Sequence, residues 1–170
     1  TGNADHVAER LDKGLLDFGI FIEPANMEKY DYLRLPAADT WGVLMRKDSP
    51  LARLDHIEIR HLKEVPLITS QQSMISNEFS GWGRHDFDQL NIVATYNLVY
   101  NASLLVAEGL GYALCLDKLV NTTGNSELCF KPLEPRLEAH LNLVWKKYHV
   151  FSKACEKFLE KVQNEFHIHI

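Results

Sequence analysis

The sequence predicts an α/β fold with a parallel sheet, and two observations predict it. A strand, a helix and a second strand are expected in turn at residues 90–96, 97–107 and 112–116, and this alternation is typical of parallel sheets. Nearer the start, a helix expected at 4–13 is followed by the nearly all-apolar segment 15–22. Such segments are typical of strands that are covered on both faces.

Composition sets the class of protein. The chain has 170 residues, of which 46% are apolar and 24% charged, so it is expected to fold as one domain with at most two lobes. With 18 basic and 23 acidic residues, its formal net charge is -5. Because phosphate contacts need a basic face, this chain by itself is not expected to bind nucleic acid.

The first helix is predicted from the four-residue spacing of Val7 and Leu11. Gly14 fits the position just past its end. The strand that follows should stop at Glu23-Pro24. Together these elements make half of a βαβ unit, so the chain looks as if it starts in the middle of a domain.

The middle of the chain predicts short elements. Strands are expected at 32–35, 41–46 and 65–69, and a short helix at 56–63. The helix at 97–107 should present an apolar face and end at a glycine. The residues of that face are Leu98, Ala102, Leu105 and Val106, and the glycine is Gly109.

Two elements are expected to close the chain. Residues 137–145 alternate between apolar and polar, which predicts a strand with one buried face. A helix should then run from Ser152 to about Phe166, with one apolar stripe and Ser152 as its N-cap.

Several kinds of chemistry are not supported. Cys115, Cys129 and Cys155 form no CxxC pair and no disulfide framework, so each is expected in the core, in a reducing compartment. The eight histidines lack ligand spacing, and no metal site is predicted. Gly109-Leu110-Gly111 follows a helix, whereas a dinucleotide fingerprint opens one, so no cofactor is predicted. No transmembrane segment or signal peptide is expected either.

Polar residues instead gather where predicted strands end and helices begin. Ligands of open α/β sheets bind outside the carboxyl ends of strands, where helix N-termini offer free N–H groups. We therefore predict a cleft for a small ligand that carries an anionic or strongly polar group. Because two of the predicted residues are acidic, a zwitterion or an amine stays possible. The predicted ligand-binding residues are Asn3, Asp5, Glu23, Thr69, Ser70, Gln71, Tyr96 and Asn97.

Five segments, in order, resemble the effector-binding domain of LysR-type transcriptional regulators. The segment 14–20 is similar to the family's "G-x-L-D-x-x-I" strand, and 105–113 to its "L-V-A-x-G-L-G-I-A". At 47–52 the sequence resembles "x-x-H-P-L-A", with Ser49 at the usual histidine position. Residues 62–68 and the region 141–159 resemble the family's "L-x-x-x-P-L-I" piece and its closing strand and helix.

The resemblance implies an architecture like that of type 2 periplasmic binding proteins, with two Rossmann-like lobes joined by crossover strands. Lobe I would hold residues 1–44 and 138–170, and lobe II residues 45–137. Strands at 41–46 and 128–133 would be the crossovers. The family's winged helix-turn-helix and the first strand–helix–strand of its effector domain are expected to be absent from this chain.

The resemblance also implies a function, which is that of a cytoplasmic domain that senses a small molecule bound between its lobes. This domain would not be an enzyme, and it would act on DNA through the absent N-terminal domain. A homodimer or homotetramer is implied, and no membrane partner. Two alternatives stay open on the same fold: an extracytoplasmic solute-binding protein, and an enzyme such as a dehydratase, for which Thr69 is the one candidate catalytic threonine.

Overall fold

A computed structural model describes residues 4–23, 25–71, 79, 82 and 89–167. The chain divides into two compact units, of which unit 1 contains residues 1–38 and 140–170 and unit 2 contains residues 39–139. The elements, in chain order, are α1 (Ala4–Asp12), β1 (Gly19–Ile22), β2 (Tyr30–Arg46), two 3₁₀ turns (Pro50–Arg53 and Ile59–Leu62), β3 (Leu67–Ser70), β4 (Ile92–Tyr96), α2 (Val99–Ala107), β5 (Tyr112–Leu116), β6 (Leu128–Pro132), β7 (Glu138–Lys146) and α3 (Lys153–Phe166). Within the described residues, no helix is long and apolar enough to cross a membrane.

Unit 1 contains a sheet with the order β1, β7, β2. On one face α1 packs Leu11 against Phe21, Tyr30 and Val144. On the other face Leu33, Leu143 and Trp145 pack against residues of α3 and its flanking loop. Ser152 caps α3 by accepting a hydrogen bond from the Cys155 N–H, which confirms the predicted start of this helix.

The end of α1 follows the predicted glycine rule. Gly14 has a φ of +66°, which a side chain would disfavour. Its N–H donates to the Leu11 carbonyl, and the Leu15 N–H donates to the Arg10 carbonyl. These two bonds form a Schellman cap, which satisfies carbonyls that the last turn would leave unpaired.

The strand predicted at 15–22 is wrong in length and in burial. β1 includes residues 19–22, and Ile20 is 56% exposed, so the strand is not covered on both faces. The apolar run misled because Leu15 belongs to the helix cap and Leu16 packs against the core from the connecting loop. The apolar segment 15–22 therefore includes the helix cap and the connecting loop as well as the strand.

Unit 2 contains the strands β6, β2, β5, β3 and β4 in that order. β3 runs parallel to both β4 and β5, which confirms the predicted parallel sheet. β2 is antiparallel to β5 and to β6. The carboxyl ends of β3, β4, β5 and β6 therefore lie at one edge of the sheet, and residues 39–41 of β2 enter at the same edge.

β2 and β7 are the strands that continue from one unit into the other. The strands predicted at 32–35 and 41–46 are parts of the single strand β2. The prediction that 128–133 is a crossover is wrong, because β6 lies within unit 2 and pairs with residues 42–46. The place of this segment along the chain predicts a crossover, but its pairing with β2 makes it a strand of the unit 2 sheet.

Helix α2 covers one face of the unit 2 sheet with Ala102, Ser103 and Val106. Ser103 can be buried because its hydroxyl donates to the Tyr100 carbonyl at 2.7 Å. Two residues of the predicted apolar face are wrong, since Leu98 and Leu105 are exposed. The helix has apolar residues on more than one side. The sequence pattern alone therefore did not indicate which side packs against the sheet.

Three smaller predictions also need correction. The helix predicted at 56–63 is a single 3₁₀ turn at Ile59–Leu62. β7 does not bury one face alone, because Asn142, Leu143, Val144 and Trp145 are all buried between layers. Among the cysteines, Cys115 is buried and burial raises its thiol pKa to about 12, whereas Cys129 and Cys155 are half-buried.

The ring of Phe130 packs directly on Gly42, where β6 meets β2. A Cβ at position 42 would lie 2.1 Å from the Phe130 Cζ and 2.4 Å from the Lys131 carbonyl oxygen. Both distances are shorter than van der Waals contact, so glycine is required at this position for the two strands to approach.

We therefore expect Gly42→Ala to lower the free energy of unfolding by about 1–3 kcal/mol, because the added methyl group overpacks the contact. Urea unfolding followed by circular dichroism measures it. The double variant Gly42→Ala/Phe130→Leu should stay destabilised, since the Lys131 carbonyl is part of the backbone. A Gly42→Ala protein with the parent's urea midpoint would show that this contact is wrong.

Candidate functional site

The carboxyl edge of the unit 2 sheet brings four of the predicted ligand-binding residues together. Thr69 and Ser70 end β3, Tyr96 ends β4, and Asn97 directly follows β4. Because the two strands are parallel, Ser70 and Tyr96 are register partners across the ladder. The rule that polar residues at strand ends converge therefore describes this edge correctly, while their contact with a ligand stays a prediction.

These residues differ in exposure. Thr69 is fully buried, and Ser70 is half-buried at the end of its strand. Gln71 and Asn97 are exposed. The hydroxyl of Tyr96 donates to the Leu114 carbonyl at 2.8 Å, so it links β4 to β5. Ser70, Gln71 and Asn97 are the members of this group whose side chains solvent reaches most easily.

A cavity of about 340 Å³ lies at the same edge, and we call it the edge cavity. It falls within the size range of small-molecule sites. Its lining residues come from the start of β2 in unit 2, the end of β5, β6 and the loop before β7. They are Thr40, Asp117, Phe130, Pro132, Leu133, Glu134 and Arg136.

The polar groups of the edge cavity are held by a compact hydrogen-bond network. The Asp117 Oδ1 accepts from the Thr40 N–H at 2.8 Å, and the Asp117 N–H donates to the Thr40 carbonyl at 2.9 Å. The Arg136 Nη2 donates to the Thr40 hydroxyl at 3.2 Å, and its Nε lies 2.9 Å from a Glu138 carboxylate oxygen. Arg136 is 67% exposed at its side chain, so its remaining N–H groups can reach a ligand.

The predictions missed these residues for two different reasons. Asp117 directly follows β5, so the same strand-end rule that selected Asn97 would have found it. Thr40 lies inside a strand, and Arg136 lies in a loop whose position depends on β6 pairing with β2. The sequence carries no local signal for either of the last two.

Electrostatics at this edge are set by acids. Burial, and next the charge of Asp117, raise the pKa of Asp39, while Lys118 opposes the shift. The edge cavity itself has two acidic side chains, Asp117 and Glu134, and one basic side chain, Arg136. A ligand here therefore needs hydrogen-bond donors for the acids in addition to any anionic group for the arginine.

Unit 1 contains a separate polar cluster around Glu23, which follows β1. One carboxylate oxygen accepts from the Asn142 Nδ2 at 2.8 Å, and the other accepts from the Arg34 Nη2 at 3.1 Å. Asn142 is fully buried, and its Oδ1 accepts no hydrogen bond among the described residues. Since an unsatisfied buried acceptor costs free energy, this oxygen favours a donor from a ligand or from water.

The remaining predicted residues belong to α1 or precede it. Asp5 is exposed in the first turn of α1. A negative charge at this end of a helix interacts favourably with the helix dipole. Asn3 lies outside the described residues. Among the described residues, no three His, Cys, Asp or Glu side chains form a group that could hold a metal ion.

The raised pKa of Asp39 generates a prediction about pH. A carboxyl whose folded-state pKa is raised stabilises the fold fully below its unfolded pKa of about 4, and this stabilisation is lost as pH rises through the folded value. We expect Asp39→Asn to be more stable than the parent at pH 7, and the difference to disappear below about pH 4.

Thermal unfolding of both proteins between these two pH values tests this, with Asp31→Asn as the control at an exposed acid of the same strand. Equal melting temperatures for parent and Asp39→Asn at pH 7 would contradict it.

Comparison with known proteins identifies the family of this chain. Residues 1–167 match the family described as the LysR substrate binding domain. The chain is 24% identical over 166 residues to the uncharacterized HTH-type transcriptional regulator YvbU of Bacillus subtilis (strain 168). That match covers 97% of this chain and 56% of YvbU, so the chain spans little more than half of that relative.

Solved structures share the fold at low identity. The effector-binding domain of QuiR, in complex with shikimate, has a TM-score of 0.83 and 18% identity, covering 99% of this chain and 80% of that one. The regulatory domain of CcmR from Synechocystis PCC6803, in complex with 2-PG, has a TM-score of 0.78 and 17% identity, covering 96% and 80%. The fold is that of type 2 periplasmic binding proteins, and the chain belongs to the LysR substrate-binding domain family.

Proposed function

We propose that this chain is the small-molecule-sensing effector domain of a LysR-type transcriptional regulator, and that its ligand occupies the edge cavity. The observation that carries the proposal is the convergence of Thr40, Asp117 and Arg136 at the strand edge where Ser70 and Asn97 also lie. Two relatives of the same fold are in complex with small molecules, QuiR with shikimate and CcmR with 2-PG.

The lining residues indicate the class of ligand. Arg136 offers charge-assisted hydrogen bonds to a carboxylate or phosphate. Asp117 and Glu134 would repel a bare anion, but they accept hydrogen bonds from hydroxyl or amino groups. The ligand is therefore a small anion that also carries hydrogen-bond donors, such as a hydroxy acid or an amino acid. Asp5 and Glu23 of unit 1, with Asn3, stay predicted contacts, and the position of the ligand between two lobes also stays a prediction.

Signalling follows from differential affinity. A ligand that binds one conformation of the regulator better than another shifts their populations, and DNA binding by a separate domain then changes. With a formal net charge of -5, this chain offers no general basic surface for DNA. The proposal places the regulator in the cytoplasm, where its DNA target is.

The two alternatives predict different behaviour. An enzyme of this fold would turn over its ligand, so chorismate-derived acids incubated with the chain would be consumed. A solute-binding protein would be preceded in its gene by a secretory signal, whereas a regulator would be preceded by a helix-turn-helix. Thr69 is fully buried at the end of β3, which disfavours it as a catalytic threonine.

Ligand binding is tested by thermal shift of the 170-residue chain against a library of hydroxy acids and amino acids. A specific ligand raises the melting temperature by mass action. We expect Ser70→Ala and Asn97→Ala to weaken the ligand found in this way severalfold, and Arg136→Gln to weaken it about tenfold or more, because a charge-assisted hydrogen bond is lost.

Arg60→Gln is the matched control, since Arg60 is an exposed arginine that pairs with Glu58 on the 3₁₀ turn. It should leave affinity unchanged. If Arg136→Gln folds and binds as tightly as the parent, the edge cavity is not the effector site. If Ser70→Ala and Asn97→Ala also bind as tightly, the ends of β3 and β4 take no part in binding.

We also infer that a second copy of the chain covers the exposed side of α2. Apolar side chains extend from this helix and its two ends, next to β4, which ends the sheet order among the described strands. Residues 89–116 contain one charged residue, Glu108, so two copies can meet here without like-charge repulsion. The exposed apolar residues are Leu98, Tyr100, Leu104, Leu105 and Leu110.

We expect Leu104→Glu to shift the chain towards monomer in sedimentation velocity, because it places a charge within an apolar contact. Leu15→Glu is the matched control, since Leu15 is a similarly exposed leucine of unit 1. A parent that sediments as monomer at all concentrations, or a Leu104→Glu variant that associates like the parent, would contradict this interface.

A further inference from the structure

A second cavity lies in unit 2, beneath the loop that follows β5. Its volume is about 560 Å³, and we call it the loop cavity. One side is formed by the face of the sheet, and the other by residues of the loop 117–123. The lining residues are Leu44, Cys115, Leu116, Asp117, Lys118, Val120, Asn121, Thr122, Thr123 and Phe130.

The floor of the loop cavity is apolar. Leu44 of β2, Cys115 of β5 and Phe130 of β6 belong to one cluster of packed residues on the same face of the sheet, and Val120 packs against that cluster. The raised pKa of Cys115, about 12, keeps its thiol uncharged near neutral pH. Leu44 and Cys115 are each only 1% exposed, so a hydrocarbon or aromatic group in this cavity would meet the half-buried side chains of Phe130 and Val120. Transfer of such a group from water to this apolar surface is favourable.

The rim carries one charge of each sign. The Lys118 Nζ lies 3.2 Å from an Asp117 carboxylate oxygen, and the lysine side chain is 75% exposed. Lys118 has a φ of +62°, a backbone conformation that is uncommon outside glycine. The loop is held further by Asn121, whose Oδ1 accepts from the Thr123 N–H at 3.0 Å and from its hydroxyl at 2.8 Å.

We propose that the loop cavity is a binding site for a free apolar α-amino acid, such as leucine or phenylalanine. The ligand's side chain lies against Phe130 and Val120, above the buried Leu44 and Cys115. The ammonium group pairs with Asp117, and the carboxylate pairs with Lys118. Both charges of the zwitterion are needed. A ligand with only a carboxylate is repelled by Asp117, and a ligand with only an ammonium group is repelled by Lys118.

This site is separate from the effector site proposed above. The edge cavity lies at the strand ends and depends on Arg136 and Thr40, whereas the loop cavity lies on the sheet face and depends on Lys118. Asp117 and Phe130 line both cavities. A ligand in the loop cavity therefore contacts residues that also line the edge cavity. Ligands in the two cavities can influence each other through the ring of Phe130.

Isothermal titration of the 170-residue chain with L-phenylalanine and L-leucine tests the proposal. We expect binding, and at least tenfold weaker binding of 3-phenylpropionate and 2-phenylethylamine, each of which lacks one of the two charges. Lys118→Gln should weaken L-phenylalanine about tenfold or more, and Lys153→Gln, at the start of α3, should not.

Arg136→Gln separates the two sites, since it changes the edge cavity alone. It should change the dissociation constant of L-phenylalanine by no more than about twofold. A tenfold change, which corresponds to about 1.4 kcal/mol, would be much larger. A titration at about 10 mM ligand detects binding free energies as weak as about −3 kcal/mol. A folded chain that takes up neither amino acid at this concentration overturns the proposal. Binding of 3-phenylpropionate as tight as that of L-phenylalanine would also overturn it. So would a result in which Arg136→Gln loses L-phenylalanine binding and Lys118→Gln keeps it.

Discussion

The contact between Phe130 and Gly42 is the interaction on which unit 2 depends most. It lets β6 lie against β2 at a separation that a Cβ on residue 42 would prevent. The pairing of β6 with β2 then brings the loop after β6, with Glu134 and Arg136, to the carboxyl edge of the sheet. The same ring lines both the edge cavity and the loop cavity. One packing contact thus positions a strand, a charged loop and the common wall of two cavities.

Charge balance decides what these cavities can bind. A positive site made by Arg136 alone would accept any small anion, but Asp117 and Glu134 lie in the same cavity. They favour molecules that present donors together with an anionic group. In the loop cavity, Asp117 and Lys118 form a pair of opposite charges above an apolar floor. We therefore expect Asp117 to contribute to selectivity at both proposed sites. The Thr40 N–H, which donates to its Oδ1, holds this carboxylate in position.

Local patterns in the sequence predicted the parts of the fold that local physics determines. Gly14 and Gly109 were expected to end helices, and both adopt a positive φ that lets the chain turn. Strand β5 has the bounds predicted from its apolar run, and Ser152 caps α3 as expected. Thr69, Ser70, Tyr96 and Asn97 converge because parallel strands end at a common edge. Each of these features depends on neighbours within a few residues, or on a general rule about sheets.

Features that depend on distant partners could not be predicted in this way. Arg136 reaches the edge cavity because β6 pairs with a strand more than 80 residues earlier in the chain. Asn142 looked like an outward polar residue of an alternating strand, but it is buried against Glu23. Leu98 and Leu105 looked like core residues, but α2 turns them outwards. In each case the tertiary partner, and not the local pattern, determines which way the side chain faces.

We propose that a small effector binds at the carboxyl edge of the unit 2 sheet. Amide chemical shifts of the ¹⁵N-labelled chain, recorded during titration with the small molecule that raises its melting temperature most, test this claim directly. We expect the largest shifts to cluster at Thr40, Ser70, Asn97, Asp117 and Arg136. Shifts confined to unit 1, or to the exposed side of α2, would contradict it.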